Sequence, residues 1–515
     1  MGKPLHAVLF AILPVLFLFA HNVDRLALGD LTRPLAVVAA SGLLLYLLLR
    51  RLLGDRDKAG LTASLFWLWF FSWGHLRRPA GFFSEAVEDP GWGVKAGWVV
   101  LLAVALFALV RMRRKVPAGL PRLLNVVALV LVAFQLWAMY PTVARTLGKG
   151  YLRPEMDVAL PRPAAGARLP NLYWIVLDGY ARQDILARYG YDNRPFLGWL
   201  RRHGFQIADR ASSNYYTTLL SFPCNLNMEY LDRLIAFEGP DSQAGDMPAI
   251  VYTEHNKVVR LLRGLGYRTV SFYAGHSWWE MTSADLFLNA PALSDFERAV
   301  LGISPLAALF HQDEFAEHRS RIRYTLNRLP QVARLPGPRF VFAHVLCPHP
   351  PFVFDEKGRP IVNNQPFLTA VATSGWLPRR VWERRYVNQT RYLNTLTERA
   401  LSGLLAADPG AVVILQSDHG APTGGWRADY REVLGILNAI RLPGYAKPMP
   451  RDLSPVNTYR YVFSQVFGAR LPLLGNRHYF LNWTAPYRVE PVAPELVLPE
   501  KQLPATTAPQ VPSDR

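Results

Sequence analysis

Cysteine is nearly absent: Cys224 and Cys347 are the two in a chain of 515 residues. That is too few for a disulfide scaffold, and neither has the paired spacing of a zinc finger or a dithiol redox motif. The fold must hold itself together by burial, with a Cys224–Cys347 bridge left open if the compartment is oxidising. Charge is also scarce, at 19% of residues against 50% hydrophobic, which excludes a disordered chain. The charge that exists is lopsided, +18 formally. Yet the basic residues come as scattered pairs, with no aromatic-interleaved basic stripe and no nucleic-acid motif, so nucleic acid is not expected as a partner. An anionic membrane surface or an anionic lipid substrate is the simpler counter-charge.

What the chain has instead is long apolar runs, crowded before about Tyr140: His6 to Ala20, Pro34 to Leu49, Leu61 to Trp73, Trp92 to Val110 and Leu123 to Tyr140. A bilayer core takes about 20 mostly apolar helical residues. The last two runs suffice, and the first three need their flanks. No small-residue cleavage site follows the first run, so it reads as a retained helix rather than a cleaved signal. Ten Lys and Arg fall at the N-terminus and in the second and fourth loops, among them Lys3, Arg50, Arg51, Arg113, Arg114 and Lys115. Five fall in the first and third loops: Arg25, Arg33, Arg77, Arg78 and Lys95. Basic loops stay in the cytoplasm. The expectation is a five-helix transmembrane domain over residues 1–140, in the cytoplasmic membrane, whose odd number of spans delivers the rest of the chain outside. Trp67, Trp69, Trp73, Trp92, Trp98 and Trp137 lie near span ends, where indoles anchor at the headgroups.

Residues 141–170 mix Pro, Gly and charge as a linker or juxtamembrane segment does. The composition then turns globular. NLYWIVL (171–177) is a β-branched apolar run of strand length, the pattern of a strand buried on both faces. Helical spacing follows from Pro195 to His203, and further strands are expected over Arg268 to Tyr273, Phe340 to Leu346 and Ala411 to Gln416. Strands separated by crossover-length stretches argue for an α/β domain over 171–487, a largely parallel sheet flanked by helices. Working residues collect at the carboxyl ends of such strands. There stand Asp178-Gly179, then His344 and His349, then Ser417-Asp418-His419-Gly420. Residues 488–515 are Pro-rich and expected to be a disordered tail.

Four stretches in this order, LYWIVLDGY (172–180), SNYYTTLLS (213–221), HVLCPHPPF (344–352) and VILQSDHG (413–420), resemble the alkaline phosphatase and sulfatase superfamily. Among its membrane branches they are most similar to the lipoteichoic acid synthases and phosphoethanolamine transferases, in which five spans precede an outer catalytic domain. The resemblance implies an alkaline-phosphatase-like domain with one divalent ion, zinc or manganese, at Asp178, Thr218, Asp418 and His419. Hard carboxylate oxygens plus an imidazole suit either metal.

The nucleophile is Thr217 or Thr218. The family's serine three residues after the nucleophile matches Ser221 and favours Thr218, whose hydroxyl needs a cation to ionise at neutral pH. His344 and His349 fall where family members bind substrate or protonate the leaving group. His478, in NRHYF, is a more loosely spaced substrate-binding candidate. Cys224 stands in CNLNM rather than C-x-P-S-R, so formylglycine chemistry is not implied.

The implied function is a membrane-anchored, metal-dependent sulfatase-like hydrolase or transferase acting on phosphoesters of a phospholipid or lipid-linked envelope substrate. A hydrolase of soluble esters and a non-catalytic membrane scaffold are the alternatives. Blander readings stand beside each residue: Asp178 and Asp418 as turn formers before Gly, His349 as a strand end between prolines. Oligomeric state is not legible.

Overall fold

Apolar helices lead the chain, one in each of the stretches that composition marks. The computed structural model describes residues 4–499 except 24–25, 27, 77, 82–83, 89–90, 112–115, 118, 148–149, 163–167, 243, 276–279, 289–292, 309–312, 364–376, 424–428, 446 and 483–484. The helices are α1 (His6–Ala20), α2 (Leu28–Leu53), α3 (Arg56–Phe71), α4 (Gly91–Arg111) and α5 (Gly119–Leu147). Among the described residues three of these, α2, α4 and α5, are long and apolar enough to cross a membrane. α1 and α3, with 15 and 16 residues, fall short of the usual span. Asp55 caps α3 by accepting from the N–H groups of Asp57 and Lys58, which starts the helix directly after the turn. Leu101 (70% exposed) and Val130 (61%) show why these helices need lipid: their apolar flanks meet no protein. Lys3, Arg25, Arg77, Arg113, Arg114 and Lys115, on which the charge count leans, lie outside the described residues.

Pro141 does not end the last span. α5 runs through it to Leu147, since proline's fixed φ suits a helix and only one N–H bond is forfeited. Among its described residues the remainder of the expected linker has no regular structure but is packed. Val158, Leu160 and Leu169 lie against a core cluster, and Asp157 reaches the buried Lys257 Nζ at 2.6 Å, which also holds Glu229 at 2.6 Å.

Among the described residues the domain that follows is built on a seven-stranded sheet. Its strands are β1 (Leu172–Leu177), β2 (Phe205–Ile207), β3 (Arg268–Phe272), β4 (Leu286–Leu288), β5 (Arg339–Val345), β6 (Val412–Gln416) and β7 (Asn438–Arg441). They lie in the order β2-β7-β6-β1-β5-β3-β4. Neighbours pair parallel from β6 to β4, while β7 runs antiparallel to both β6 and β2.

The four strands expected from sequence are the core of the sheet. β1 is central and wholly buried because its two faces serve two cores: Tyr173, Ile175 and Leu177 in one, Leu172, Trp174 and Val176 in the other. Helix α6 (Thr218–Asn227) packs Phe222 and Leu226 on the Trp174 face. Register then sets the site, since Val176 stands opposite both His344 and Gln416. Asp178, His349 and Asp418 therefore leave the sheet at one edge.

The domain is seated on the helices rather than hung from a thread. Helix α7 (Asp295–Gly302) places Phe296 against Phe19 with ring centroids 5.5 Å apart, and Glu297 Oε1 meets Arg33 Nε at 3.0 Å. Arg145 Nη2, near the end of α5, donates to both oxygens of the buried Glu238 carboxylate at 2.7 and 2.9 Å. On the opposite face of the sheet from α6, helix α8 (Arg379–Ala407) covers Tyr173 and Ile175.

The expected tail from 488 is a correction. A hairpin of β8 (His478–Asn482) and β9 (Ala485–Val492) occupies its start, a 3₁₀ turn follows at Pro494–Leu496, and Val497 is fully buried. Prolines misled the reading because a two-stranded hairpin leaves many N–H groups without a ladder partner, where proline is tolerated. Residues 500–515 lie outside the described residues.

Trp174 ties the centre of the sheet together. It stacks on Phe342 at 4.9 Å, meets Phe222 at 5.4 Å and donates from Nε1 to Gln416 Oε1 at 3.3 Å. Trp174→Ala should lower stability by about 3–5 kcal/mol, read as a fall in the unfolding midpoint of the sheet-bearing domain in the detergent-purified protein.

Candidate metal and catalytic site

β1 leaves the sheet at Asp178-Gly179. Gly179 has φ +68°, and a Cβ there would also press on Pro422 Cδ at 3.1 Å, so the turn requires glycine. Backbone bonds stitch this exit to that of β5: Asp178 N donates to Val345 O, and His349 N to Asp178 O, both at 3.0 Å. Asp178 Oδ2 lies 2.9 Å from His344 Nε2.

On the other flank, Ser417 Oγ donates to His419 O and accepts from Tyr180 N, each at 2.7 Å. Asp418 Oδ1 accepts from Gly179 N at 3.2 Å. Gly420 closes the turn because a Cβ would stand 2.2 Å from Glu432 O. The Asp-Gly and Asp-His-Gly turns are thus bound to each other as well as to their own strands.

The two threonines are separated by the start of α6. Thr217 is the residue before the helix, in extended backbone, and its buried Oγ1 has no hydrogen-bond partner. Thr218 opens the helix and its Oγ1 donates to Asp418 Oδ2 at 2.6 Å. Ser221 Oγ donates to Tyr215 O at 2.9 Å, pinning the first turn to the loop before it. At a helix start, free N–H groups favour an anion.

His419 donates from Nδ1 to Gly420 O at 2.8 Å, which leaves Nε2 3.4 Å from Asp178 Oδ1 and 3.6 Å from Asp418 Oδ2. His349 spends Nδ1 the same way, on Pro350 O at 2.6 Å. A backbone carbonyl on Nδ1 is the usual orientation of a metal-binding imidazole, with the Nε2 lone pair forward. Ligand atoms of Asp178, His349 and His419 lie within 4.8 Å of one another, as do those of Asp178, His344 and Asp418. Asp178 Oδ1 is buried with no hydrogen-bond partner, a costly state for an anionic oxygen unless a cation meets it. Carboxylate oxygens and imidazole nitrogens at this spacing fit a divalent ion, zinc and manganese included.

The electrostatics agree. Burial alone would raise the Asp178 carboxyl, but His349, His344 and His419 outweigh it and hold it well below the ordinary range. Burial likewise opposes a charged His419, and the Asp418 and Asp178 carboxylates overcome it and raise the imidazole. At His349 burial wins and the imidazole is lowered, with Asp178 opposing.

His344 has no exposed surface and sits between Phe222 and Phe342, its Nε2 occupied by Asp178. His478 begins β8 and is held by Nδ1 on Ser213 O at 2.7 Å, against the loop leading to Thr218; it belongs to neither group of three. Cys224 and Cys347 are free thiols in separate cores, so the bridge left open by sequence is not made. Sequence reasoning named Ser417 at its strand end without a role and passed over Tyr386, whose hydroxyl accepts from Ala181 N at 2.9 Å and donates to Gly179 O at 2.6 Å. A tyrosine on the buried stripe of a long helix carries no local sign of that role.

Metal analysis of the purified protein should find about one zinc or manganese per chain, and Asp418→Ala should lose most of it. Added metal should raise the melting temperature of the native protein by mass action and leave that of Asp418→Ala nearly unchanged.

Among solved structures the chain is similar to the C-terminal periplasmic domain of EcEptC from Escherichia coli in complex with Zn, with TM-score 0.42 and 14% identity over 66% of this chain and 98% of that one. It is also similar to the integral membrane lipooligosaccharide phosphoethanolamine transferase A (EptA) from Neisseria meningitidis, with TM-score 0.42 and 13% identity over 91% and 96%. No curated protein matches in sequence. The model of the Sulfatase family matches residues 170–460, more than half of the chain and the whole of the strand-end site from Asp178 to His419. The chain accordingly belongs to the Sulfatase family and is an enzyme of the sulfatase-like transferase or hydrolase type.

Proposed function

We propose that this enzyme is a membrane-anchored, metal-dependent phosphoester transferase or hydrolase, with Thr218 as nucleophile and a phospholipid or lipid-linked envelope molecule as substrate. The observation that carries the reading is the 2.6 Å hydrogen bond from Thr218 Oγ1 to Asp418 Oδ2, beside Asp178 and His419. The adjacent Thr217 hydroxyl has no such carboxylate.

Asp178, Asp418, His419 and Thr218 Oγ1 would hold zinc or manganese, which when bound lowers the pKa of a hydroxyl and offsets charge on the phosphoryl oxygens. Asp418 Oδ2 accepts the Thr218 proton as Oγ1 attacks phosphorus. The bond from phosphorus to the leaving oxygen breaks, and His349 delivers a proton to that oxygen, leaving phosphothreonine. The negative charge of an arriving phosphoester favours the imidazolium form that burial alone disfavours. Water or an acceptor alcohol then attacks phosphorus and gives its proton to His349, the bond from phosphorus to Thr218 Oγ1 breaks, and Oγ1 recovers its proton from Asp418. His344 serves Asp178 by orienting it, and His478 keeps Nε2 for a substrate contact.

The apolar helices favour a lipid-linked donor or acceptor and hence transfer over simple hydrolysis. With α1 and α3 counted beside the three long helices, five spans and the ten-to-five basic asymmetry support a catalytic domain outside the cytoplasmic membrane.

Thr218→Ala should cost several orders of magnitude in turnover, and Thr217→Ala, whose hydroxyl has no hydrogen-bond partner to lose, about tenfold at most. A phosphodiester-trapped adduct mapped by mass spectrometry should lie on Thr218. A reporter enzyme that works only outside the cytoplasm should be active when fused after Arg515.

A further inference from the structure

The loop that carries His349 has an unusual deficit. Pro348, Pro350 and Pro351 bring no N–H groups, so the backbone has few donors with which to fasten itself. Besides the bond from His349 N to Asp178 O and that from Asn363 Nδ2 to Phe352 O, one side chain supplies most of the fastening. Gln389, on α8 and fully buried, accepts through Oε1 from Val353 N at 2.7 Å and Phe354 N at 3.2 Å. Its Nε2 lies 3.2 Å from Pro348 O, 3.3 Å from His349 O and 3.4 Å from Pro351 O. Two amide hydrogens are shared among three carbonyls, which accounts for these longer distances. A single amide thus spans five backbone groups on both sides of His349. Tyr386, three residues earlier on the same helix, holds the Asp178-Gly179 turn through Gly179 O, so α8 sets both loops against each other.

We propose that Gln389 is the positioning residue for His349, fixing where the imidazole meets the leaving oxygen without touching substrate itself. The role demands a primary amide of this length. A carboxylate would bring no donor to three carbonyls, and a leucine of similar size would leave buried N–H and C=O groups unmet. The assignment rests on His349 acting in the reaction as proposed above.

The test uses the purified full-length protein and two phosphodiesters with the same retained group, one releasing nitrophenolate and one releasing an alkoxide. Nitrophenolate leaves without a proton, whereas the alkoxide needs one. Gln389→Leu should lower kcat/KM, which reports the first transfer to Thr218 alone, on the alkyl ester about tenfold to a hundredfold, within the range that general-acid catalysis contributes, and change that of the nitrophenyl ester by less than about threefold. Metal content should stay at the wild-type level. Gln389→Asn, which keeps the amide and shortens its reach, should show the same pattern more mildly and serves if Gln389→Leu does not fold. The decisive comparison adds either change to His349→Ala, where it should have no further effect, since a residue acting through another loses its influence once that one is gone. Equal losses on both esters, no loss on the alkyl ester, or an undiminished further loss in the His349→Ala background would overturn the assignment. If His349→Ala itself shows no preference between the esters, the acid role of His349 fails, while the double variant still decides whether Gln389 works through it.

Discussion

A carboxylate with no exposed surface stands at the end of the central strand, and much of the domain is arranged to make Asp178 tolerable there. An anion removed from water needs partners on every side. His344 reaches it from β5 because the parallel register sets that residue beside Val176. His419 comes from the turn after β6, and the loop carrying His349 is joined to it through Asp178 O. One oxygen is left over, Oδ1, and His419 turns its Nε2 to within 3.4 Å of it. The same constraint explains the glycines at 179 and 420, where the turns pass too close to neighbouring chain for a side chain.

How much of this could be read in the sequence depends on how local each cause is. β1, β3, β5 and β6 announce themselves because a strand buried on both faces must be apolar throughout. β2, β4 and β7 have three or four residues each and lie toward the sheet's edges, too short to show a period. The strand-end carboxylates and imidazoles were visible as motifs, but their directions were not. Thr217 and Thr218 are chemically alike and adjacent, and only the point where the helix starts decides which hydroxyl faces Asp418. His344 and His349 are five residues apart, yet one is in the strand and sealed between aromatic rings while the other is in the loop. Gln389 was illegible for a plainer reason: its partners lie 35 to 41 residues away in the chain.

The junction between helices and catalytic domain shows where composition misleads. Pro and Gly between 141 and 170 suggest slack, and the structure finds fastenings among the described residues. Arg145 grips a buried Glu238, Asp157 meets a buried Lys257, and α7 lays Phe296 on the end of α1. Each is a contact between residues far apart in sequence, which no local pattern records. Together they give the strand-end site a defined attitude toward the apolar helices.

The clasp at Arg182 bears on the order in which the molecule comes into being. Its guanidinium, just beyond the Asp178 turn, donates to Ala211 O, Ser212 Oγ and Val497 O. A ribosome makes Ser212 285 residues before Val497, and β6 with Asp418 and His419 comes late as well. The central strand of the sheet therefore emerges long before its neighbour β6, and Thr218 long before Asp418, to which its hydroxyl donates. Until then the growing chain has helices to anchor it and half a sheet in need of shelter, but no working centre. Catalytic competence arrives as a late event of biogenesis, when the clasp shuts.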